Sequence, residues 1–411
     1  MNPAILEFYS IQQKLTNNVP TNFKRYLFTK INWDNRMIAI AGARGVGKTT
    51  MILQYIIEKY NDPERCIYIS ADNPFLLKEG LYEIGREHFK YKGECIVFDE
   101  IHKYENWSDE LKALYDAYPD KRFIILGSSK LNILNQKSDL SRRMIIYNLK
   151  MLSFREYLIL KHEINTKPFL LEEILNDPAG ISSRIIKDFP NILSDFQEYL
   201  KFGCFPFFLE FKSDEYYSVL NNIIDKVIYE DIPTIKEIKF LSSIPIKKLI
   251  AFLAMSPIPT LNLSSLCNEI GSSRETLYTF LDLLERADLI NIAKKRDKNL
   301  GSFKYARFFF YNSNYYYAIA NEKWTHTEAN KGNVREAFFV SQLEGAYPIF
   351  TSYISDYSVD VNPDFSAEIE IGGKNKGNKQ IRNAENGFVF KDDQKIGGGN
   401  IIPLYLAGFL Y

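Results

Sequence analysis

The chain has 411 residues, 46% hydrophobic and 15% aromatic, which is too long for one ordinary core and ample for two to four packed domains. Its 51 basic and 51 acidic side chains cancel, which excludes a global pull toward nucleic acid or membrane and leaves only local patches to supply one. Four cysteines stand far apart with no C-x-x-C, and neither a signal-peptide pattern nor an apolar run of spanning length is present. This predicts a soluble cytoplasmic protein with no disulfide framework, no zinc site and no membrane partner.

Residues 1–30 read as a helix and a connector. Over 31–150, apolar runs (Met37–Ala41, Cys66–Ser70, Cys95–Phe98, Phe123–Leu126, Met144–Leu149) alternate with helical patterns, among them Thr49–Lys59 and Trp107–Ala117. Continuous apolar strands alternating with helices predict a parallel sheet covered on both faces. Between the first run and the first helix stands Gly42-Ala43-Arg44-Gly45-Val46-Gly47-Lys48-Thr49-Thr50, which contains G-x-x-x-x-G-K-T. Strand, glycine loop and helix in that order are what a phosphate loop needs. Glycines let backbone N–H groups turn onto a phosphate, and the helix N-terminus adds its positive end. Lys48 can reach the β- and γ-phosphates of ATP or GTP, and Thr49 can hold Mg²⁺.

The third run ends in Asp99 and Glu100, about fifty residues after the loop. An Asp there can hold Mg²⁺ through its water shell, and the Glu after it can polarise a water for attack on the γ-phosphate. The fourth run ends in Gly127-Ser128-Ser129, where a hydroxyl can contact the γ-phosphate or the water; a plain Gly-Ser turn is the other reading. Arg142 and Arg143 follow. An arginine placed near a neighbour's nucleotide stabilises transition-state charge, while a solvated or salt-bridged pair is the ordinary alternative.

Residues 151–233 are helical and aromatic. In 234–325, helices at Ile246–Met255 and Asn262–Ile270 precede a third opened by a capping box of Ser272 and Glu275. On it Leu277, Phe280, Leu281 and Leu284 share one apolar face. Two short strands then flank the basic residues Lys294, Lys295, Arg296, Lys298, Lys304 and Arg307. These can grip phosphates, but Glu275, Asp282 and Glu285 on the third helix repel them, so a linker or protein-contact module outweighs base-specific DNA reading.

In 326–411 Glu336 lies on a helix, followed by Tyr357–Val361, a turn at Asn362-Pro363-Asp364, and Ala367–Ile371. Alternation places Asp360, Glu368 and Glu370 on the polar faces of two adjacent strands, so a hairpin pairing Asp360 with either glutamate would bring two carboxylates to one cation. Lys374 completes what a Mg²⁺-dependent phosphodiesterase needs, with Asp364 a rival for Asp360. The apolar run 401–411 reads as a strand and helical turn packed into this domain.

Together, the phosphate loop, Phe98-Asp99-Glu100-Ile101-His102-Lys103-Tyr104-Glu105-Asn106-Trp107, Gly127-Ser128-Ser129, Leu140-Ser141-Arg142-Arg143 and Leu152-Ser153-Phe154-Arg155-Glu156-Tyr157 resemble prokaryotic AAA-type ATPases that join an ATPase module to a C-terminal domain of unknown function. The resemblance runs from about residue 30 to the end. It implies an α/β P-loop parallel sheet of the ASCE type, with one strand between the P-loop and Walker B strands. It also implies a helical lid, a winged-helix module and a C-terminal α+β domain of the restriction-endonuclease-like PD-(D/E)xK kind. By the same resemblance ATP and Mg²⁺ are the cofactors, with Lys48 on phosphate and Thr49 and Asp99 on Mg²⁺. Glu100 is the catalytic base, Ser128 or Ser129 the sensor, and Arg143 the arginine finger or sensor, which brings in self-assembly into a homo-oligomer. Asp360 and Glu370 would be metal ligands of a nuclease-like site, with DNA or RNA as partner. This chain departs from that pattern in carrying Gly372 where the lysine two residues after the glutamate is usual, and Arg142-Arg143 where Gly-Arg is common. The alternative is an ATP-driven switch whose C-terminal domain binds protein and has no phosphodiesterase activity, and where Lys374 points separates the two.

Overall fold

Apolar runs must be covered on both faces, and four such runs assemble with a half-exposed edge run, Ile145–Asn148, into one parallel sheet. The strands β1 (Met37–Ala41), β2 (Cys66–Ser70), β3 (Cys95–Asp99), β4 (Arg122–Gly127) and β5 (Ile145–Asn148) lie in the order β2-β3-β4-β1-β5. One strand, β4, thus separates β1 from β3, as the resemblance implies. This computed structural model describes residues 2–128, 139–235, 243–256, 263–296, 303, 305–321, 329–373, 376–377, 381 and 384–411. Apart from the short stretch 234–236, which belongs with the first, the chain divides into two compact units, one up to Met151 and the other from Leu152 onward.

In the first unit, one face of the sheet carries Met37, Ala39, Ile67, Ile69, Ile96, Phe98, Phe123 and Ile125. It is covered by Ile5 and Phe8 of α1 (Pro3–Asn17), Leu76 of α3 (Pro74–Glu79), Ile84 of α4 (Leu81–Lys90), and Leu111 and Leu114 of α5 (Trp107–Ala117). Each such side chain contributes about 1.5–3 kcal/mol when fully buried. Strand alternation sends Ile38, Ile40, Tyr68, Val97, Asp99, Ile124 and Leu126 to the other face. These are all buried, as are Met51, Ile52, Tyr55 and Ile56 of α2 (Lys48–Lys59). That second face matters for function, because Asp99 and α2 share it.

In the second unit, Ser153 opens the helix Phe154–His162 with a capping box completed by Glu156. Phe154 packs against Phe196, Tyr199, Tyr405 and Phe409, so the helices read as a lid share a core with the end of the chain. The helices Ser243–Met255, Leu263–Ile270 and Arg274–Arg286 precede an antiparallel pair, β6 (Ile290–Ala293) and β7 (Arg307–Phe310). The third helix is capped by Ser273, whose hydroxyl accepts from the Thr276 N–H, so the cap lies one residue beyond the expected Ser272. Gly271, at φ 68°, ends the preceding helix and leaves Ser272 as the link. Leu277, Phe280, Leu281 and Leu284 are buried as the periodicity predicts.

A mixed sheet closes the unit: β8 (Ile349–Thr351), β9 (Tyr357–Asn362), β10 (Phe365–Gly372), β11 (Gly387–Lys391) and β12 (Ile401–Pro403), in sequential order. β8, β9 and β10 pair antiparallel, while β11 and β12 continue parallel. The helix Lys331–Leu343 packs on it through Phe339, which meets Tyr357 and Phe390 at ring distances of 6.2 and 4.9 Å. The run after Asn400 forms β12 and a 3-10 turn over Leu404–Phe409, buried throughout the turn. Among the described residues no helix is long and apolar enough to cross a membrane.

Candidate functional site

The phosphate loop joins β1 to α2, and its backbone favours glycine at Gly42, Gly45 and Gly47. Gly47 takes φ 92° as the N-cap of α2. At Gly42 an added Cβ would collide with the Leu149 carbonyl oxygen. The loop carries Ala43, Arg44, Gly45 and Val46 between them, and Lys48, Thr49 and Thr50 form the first turn of the helix. Lys48 is buried, and its Nζ donates to the carbonyls of Gly42 at 2.7 Å and Ala43 at 3.0 Å. The ammonium is thereby held inside the curve of the loop, the place from which it can meet a phosphate.

β3 delivers Asp99 and Glu100 at the same edge of the sheet. Asp99 Oδ2 accepts from Thr49 Oγ1 at 2.6 Å and from the Tyr68 hydroxyl at 2.7 Å, and Oδ1 accepts from the Glu100 N–H at 2.8 Å. Burial pushes the Tyr68 phenol well up, and the Asp99 carboxylate beside it pushes it further, so Tyr68 remains a donor. The hydroxyl of Thr49 and the carboxylate of Asp99 are hard oxygen donors in contact, which fits Mg²⁺. Glu100 is in the left-handed region at φ 50°, a conformation costing about 1–3 kcal/mol that turns its side chain away from that of Asp99. Its Oε2 lies 3.9 Å from Arg44 Nη1 and 3.6 Å from His102 Nε2, and accepts no hydrogen bond from the described residues. A carboxylate that lies beside a guanidinium and an imidazole but is not saturated by donors retains the capacity to take a proton from water.

Ser128 follows β4, between the strands that carry the loop and Asp99, and is buried. Ser129 lies outside the described residues. Arg143 precedes β5, at the sheet edge opposite the phosphate loop. There it pairs with Asp116 and stands 5.5 Å from the Tyr115 ring, on which Arg36 also stacks. The parallel direction of β1 and β5 thus keeps Arg143 away from this chain's own phosphate site, which corrects the expectation of a sensor acting within the chain.

The C-terminal carboxylates are arranged differently from the expectation. The hairpin register sets Asp360 opposite Ser366 and Glu368 opposite Ser358, with an irregularity between Phe365 and Ser366. Asp360 therefore pairs with neither glutamate, and Glu370 lies four residues further along, roughly 13 Å at strand spacing. Asp360 binds Arg296 and accepts from Ser366 Oγ at 2.6 Å. Partial burial opposes ionisation, but these two partners win and hold its carboxyl below the usual range. Asp364 sits exposed in the turn, its N–H donating to Asn362.

The acid beside Glu370 is Asp356. Its N–H donates to Glu370 Oε2 at 3.2 Å, and its own Oδ2 accepts from the Ile371 N–H at 2.9 Å. Glu336 reaches the same place from its helix. Arg307 of β7 spans the two, donating to Glu336 at 2.6 Å and Asp356 at 2.9 Å, while the Tyr357 hydroxyl also donates to Glu336. Burial raises the Glu336 carboxyl despite Arg307. Lys376 Nζ lies 2.6 Å from Glu370 Oε1. Lys374, the residue expected to decide between the two readings, lies outside the described residues, as do Lys298 and Lys304. Among the described residues no group of three or more His, Cys, Asp or Glu side chains is arranged to hold a metal.

Sequence reasoning missed three participants and the setting of a fourth. Tyr68 could have been found by parity, since it shares the face of Asp99 one strand over. Asp356 is the residue before a strand, and only the register reveals it. Arg44 was placed within the loop but not beside Glu100. Arg25, in the connector, is buried and gives no signal in the sequence. Its guanidinium donates to Val46 O in the loop and to the carbonyls of Lys150 and Met151 at 2.7 and 2.9 Å.

Residues 34–158 match the family described as AAA domain, and residues 193–322 match a domain of unknown function, DUF8612. The chain is 30% identical over 270 residues to uncharacterized protein MJ1637 of Methanocaldococcus jannaschii, covering 63% of this chain and 57% of that protein. It is 26% identical over 323 residues to uncharacterized protein MJ1544 of the same organism, covering 75% and 66%. The matches therefore span less than two thirds of either relative. Among solved structures, AMPPCP-bound DnaA from Aquifex aeolicus shares 16% identity over 69% of this chain and 89% of its own, with a TM-score of 0.28, too distant to bear on function. The AAA-domain match and the phosphate-loop geometry agree on an ATPase-type N-terminal unit.

Proposed function

We propose that the N-terminal unit binds ATP with Mg²⁺ and hydrolyses it, and that the second unit is an interaction module that does not cleave phosphodiesters. The observation that carries the first part is Thr49 and Asp99 in contact beneath a phosphate loop, with Glu100 turned off the metal side and short of donors. Backbone N–H groups of the loop bind the phosphates, and Lys48 exchanges the carbonyls of Gly42 and Ala43 for phosphate oxygens. Mg²⁺, held through Thr49 and Asp99, would neutralise phosphate charge when bound. Tyr68 keeps Asp99 oriented, Glu100 takes the proton of the attacking water, and Ser128 contacts the γ-phosphate or that water. Arg143 could meet phosphate only on a second copy of the chain.

The second part rests on Arg307 and Lys376, which already pair the carboxylates Glu336, Asp356 and Glu370. The competing reading is a Mg²⁺-dependent nuclease at Asp360 and Glu370; it is disfavoured by a register that separates them. Two assays on the full chain test the proposal. ATP turnover should require Mg²⁺ and stop with EDTA; no turnover of ATP or GTP refutes hydrolysis. Single- and double-stranded DNA and RNA should remain intact with Mg²⁺ or Mn²⁺, and cleavage lost in Asp356→Asn or Glu370→Gln refutes the non-cleaving module.

A further inference from the structure

A general base acts only from within hydrogen-bond reach of the water it deprotonates, and glutamate is among the side chains with the most rotamer freedom to lose. Asp99 shows one way to fix a carboxylate. Three donors clamp it at 2.6, 2.7 and 2.8 Å, which suits a metal ligand. The same clamp on Glu100 would occupy the lone pairs that must receive a proton. The left-handed φ of 50° turns the Glu100 side chain from Asp99 but fixes only its backbone. The carboxylate needs a neighbour that confines it without saturating it.

His102 meets that requirement. It is the middle residue of a 3-10 turn, Ile101–Lys103, that starts from Glu100 itself. The Lys103 N–H donates to the Glu100 carbonyl at 2.9 Å, and the Tyr104 N–H donates to the Ile101 carbonyl at 3.1 Å. Ile101 before it is fully buried, and Lys103 after it pairs with Asp72 at 2.8 Å. These ties fix the turn, and the imidazole, whose side chain is 7% exposed, is held with Nε2 3.6 Å from Glu100 Oε2. That separation is longer than a hydrogen bond, so the ring restricts the carboxylate and leaves its lone pairs open. Arg44 stands at 3.9 Å from the same oxygen, but it belongs to the loop that receives phosphate, and a bound triphosphate competes for its guanidinium. His102 stands outside that loop, so its hold on Glu100 persists when phosphate arrives.

We infer that His102 is a positioning residue, confining the Glu100 carboxylate for the attack of water without itself touching nucleotide. The inference rests on the reading of Glu100 as the base, and the two fail separately. The test uses the full-length parent, His102→Gln, His102→Asn, Glu100→Gln and the double variant His102→Asn/Glu100→Gln. Each is measured for Mg²⁺-dependent ATP turnover, for the Kd of a fluorescent ATP analogue, and for urea unfolding without nucleotide. Gln carries an amide about as far out as Nε2 and should keep kcat within about 1.5-fold of the parent. Asn is one carbon shorter and should lower kcat about 2- to 12-fold, the range equivalent to leaving one long side chain unordered. Kd should stay within about twofold in both, because an interaction made only in the reaction step leaves binding unchanged. Once Glu100 can no longer accept a proton its placement has no effect. The double variant should therefore turn over as fast as Glu100→Gln alone, whereas a general structural effect would multiply with it. Asn at the parental rate, Gln as slow as Asn, Kd weakened as much as kcat, multiplying effects in the double variant, or an Asn variant unfolded without urea would each overturn the positioning role. If Glu100→Gln is slow while His102→Asn is not, only His102 loses its role; if Glu100→Gln turns over at the parental rate, the base reading falls and His102 has nothing to position.

Discussion

Replacing Glu100 by Gln isolates one proton-transfer role, because the side chains have nearly the same shape. The structure allows the side effects to be sized. Glu100 loses its charge toward Arg44 at 3.9 Å and His102 at 3.6 Å, in a position where its side chain is 22% exposed. Partly exposed pairs of this geometry contribute about 0–1 kcal/mol, so nucleotide affinity should move by less than about fivefold. Removing a general base costs about 10²–10⁴ in rate, or roughly 3–5 kcal/mol of barrier. Glu100→Gln should therefore lower kcat by that factor and leave the Kd for ATP nearly intact. Steady-state turnover and a fluorescent-nucleotide titration on the same preparation check both. Undiminished turnover, or lost binding along with lost turnover, would refute the assignment of Glu100 as base.

Lys48→Ala removes the one ammonium enclosed by the loop and should abolish nucleotide binding in the same titration; tight binding retained would remove the phosphate-loop assignment. Arg307→Ala leaves Glu336 and Asp356, each only 15% exposed, without their cation and should cost about 3 kcal/mol in urea unfolding, whereas Asp360→Ala, whose partner Arg296 is exposed, should cost under about 1 kcal/mol. Equal costs would contradict the burial argument. His88 is fully buried between the Tyr9 hydroxyl and the Cys95 carbonyl, and burial lowers its pKa from 6.5 to about 4. The unfolded chain takes up this proton first, so the contribution is fully present above about pH 6.5 and declines as pH falls, levelling near pH 4. The loss should approach about 3 kcal/mol. Denaturation of the parent and His88→Gln at pH 7, 5 and 4 checks it, since the variant should lose that part of the slope.

The ATPase unit was legible because its inner strands are almost wholly apolar and its loop is bounded by a strand and a helix. Those patterns depend on local sequence alone. Tyr68 shows where local reading stops: its role depends on the neighbour that β2 meets, and strand order is a tertiary fact. The same holds more strongly in the second unit. Alternation correctly separates Tyr357 and Val359 from Asp360 and Ser358, but it carries no register. The irregularity after Phe365 moved Asp360 onto Ser366 and left Glu370 to Asp356. Arg25 was illegible for another reason, because a single buried guanidinium binding carbonyls needs no particular residues at the other end.

That guanidinium has a mechanical consequence. It is anchored at once to the apex of the phosphate loop, through Val46, and to the residues by which the chain leaves the ATPase unit, Lys150 and Met151. Loop and exit thus share one rigid fork, and a shift of Met151 that carried Arg25 with it would act on the backbone that cradles phosphate. Arg25→Lys keeps the charge but replaces a rigid fork with a single point. It should raise the Kd for ATP more than it lowers the melting temperature, and the reverse order would reduce Arg25 to a structural tie.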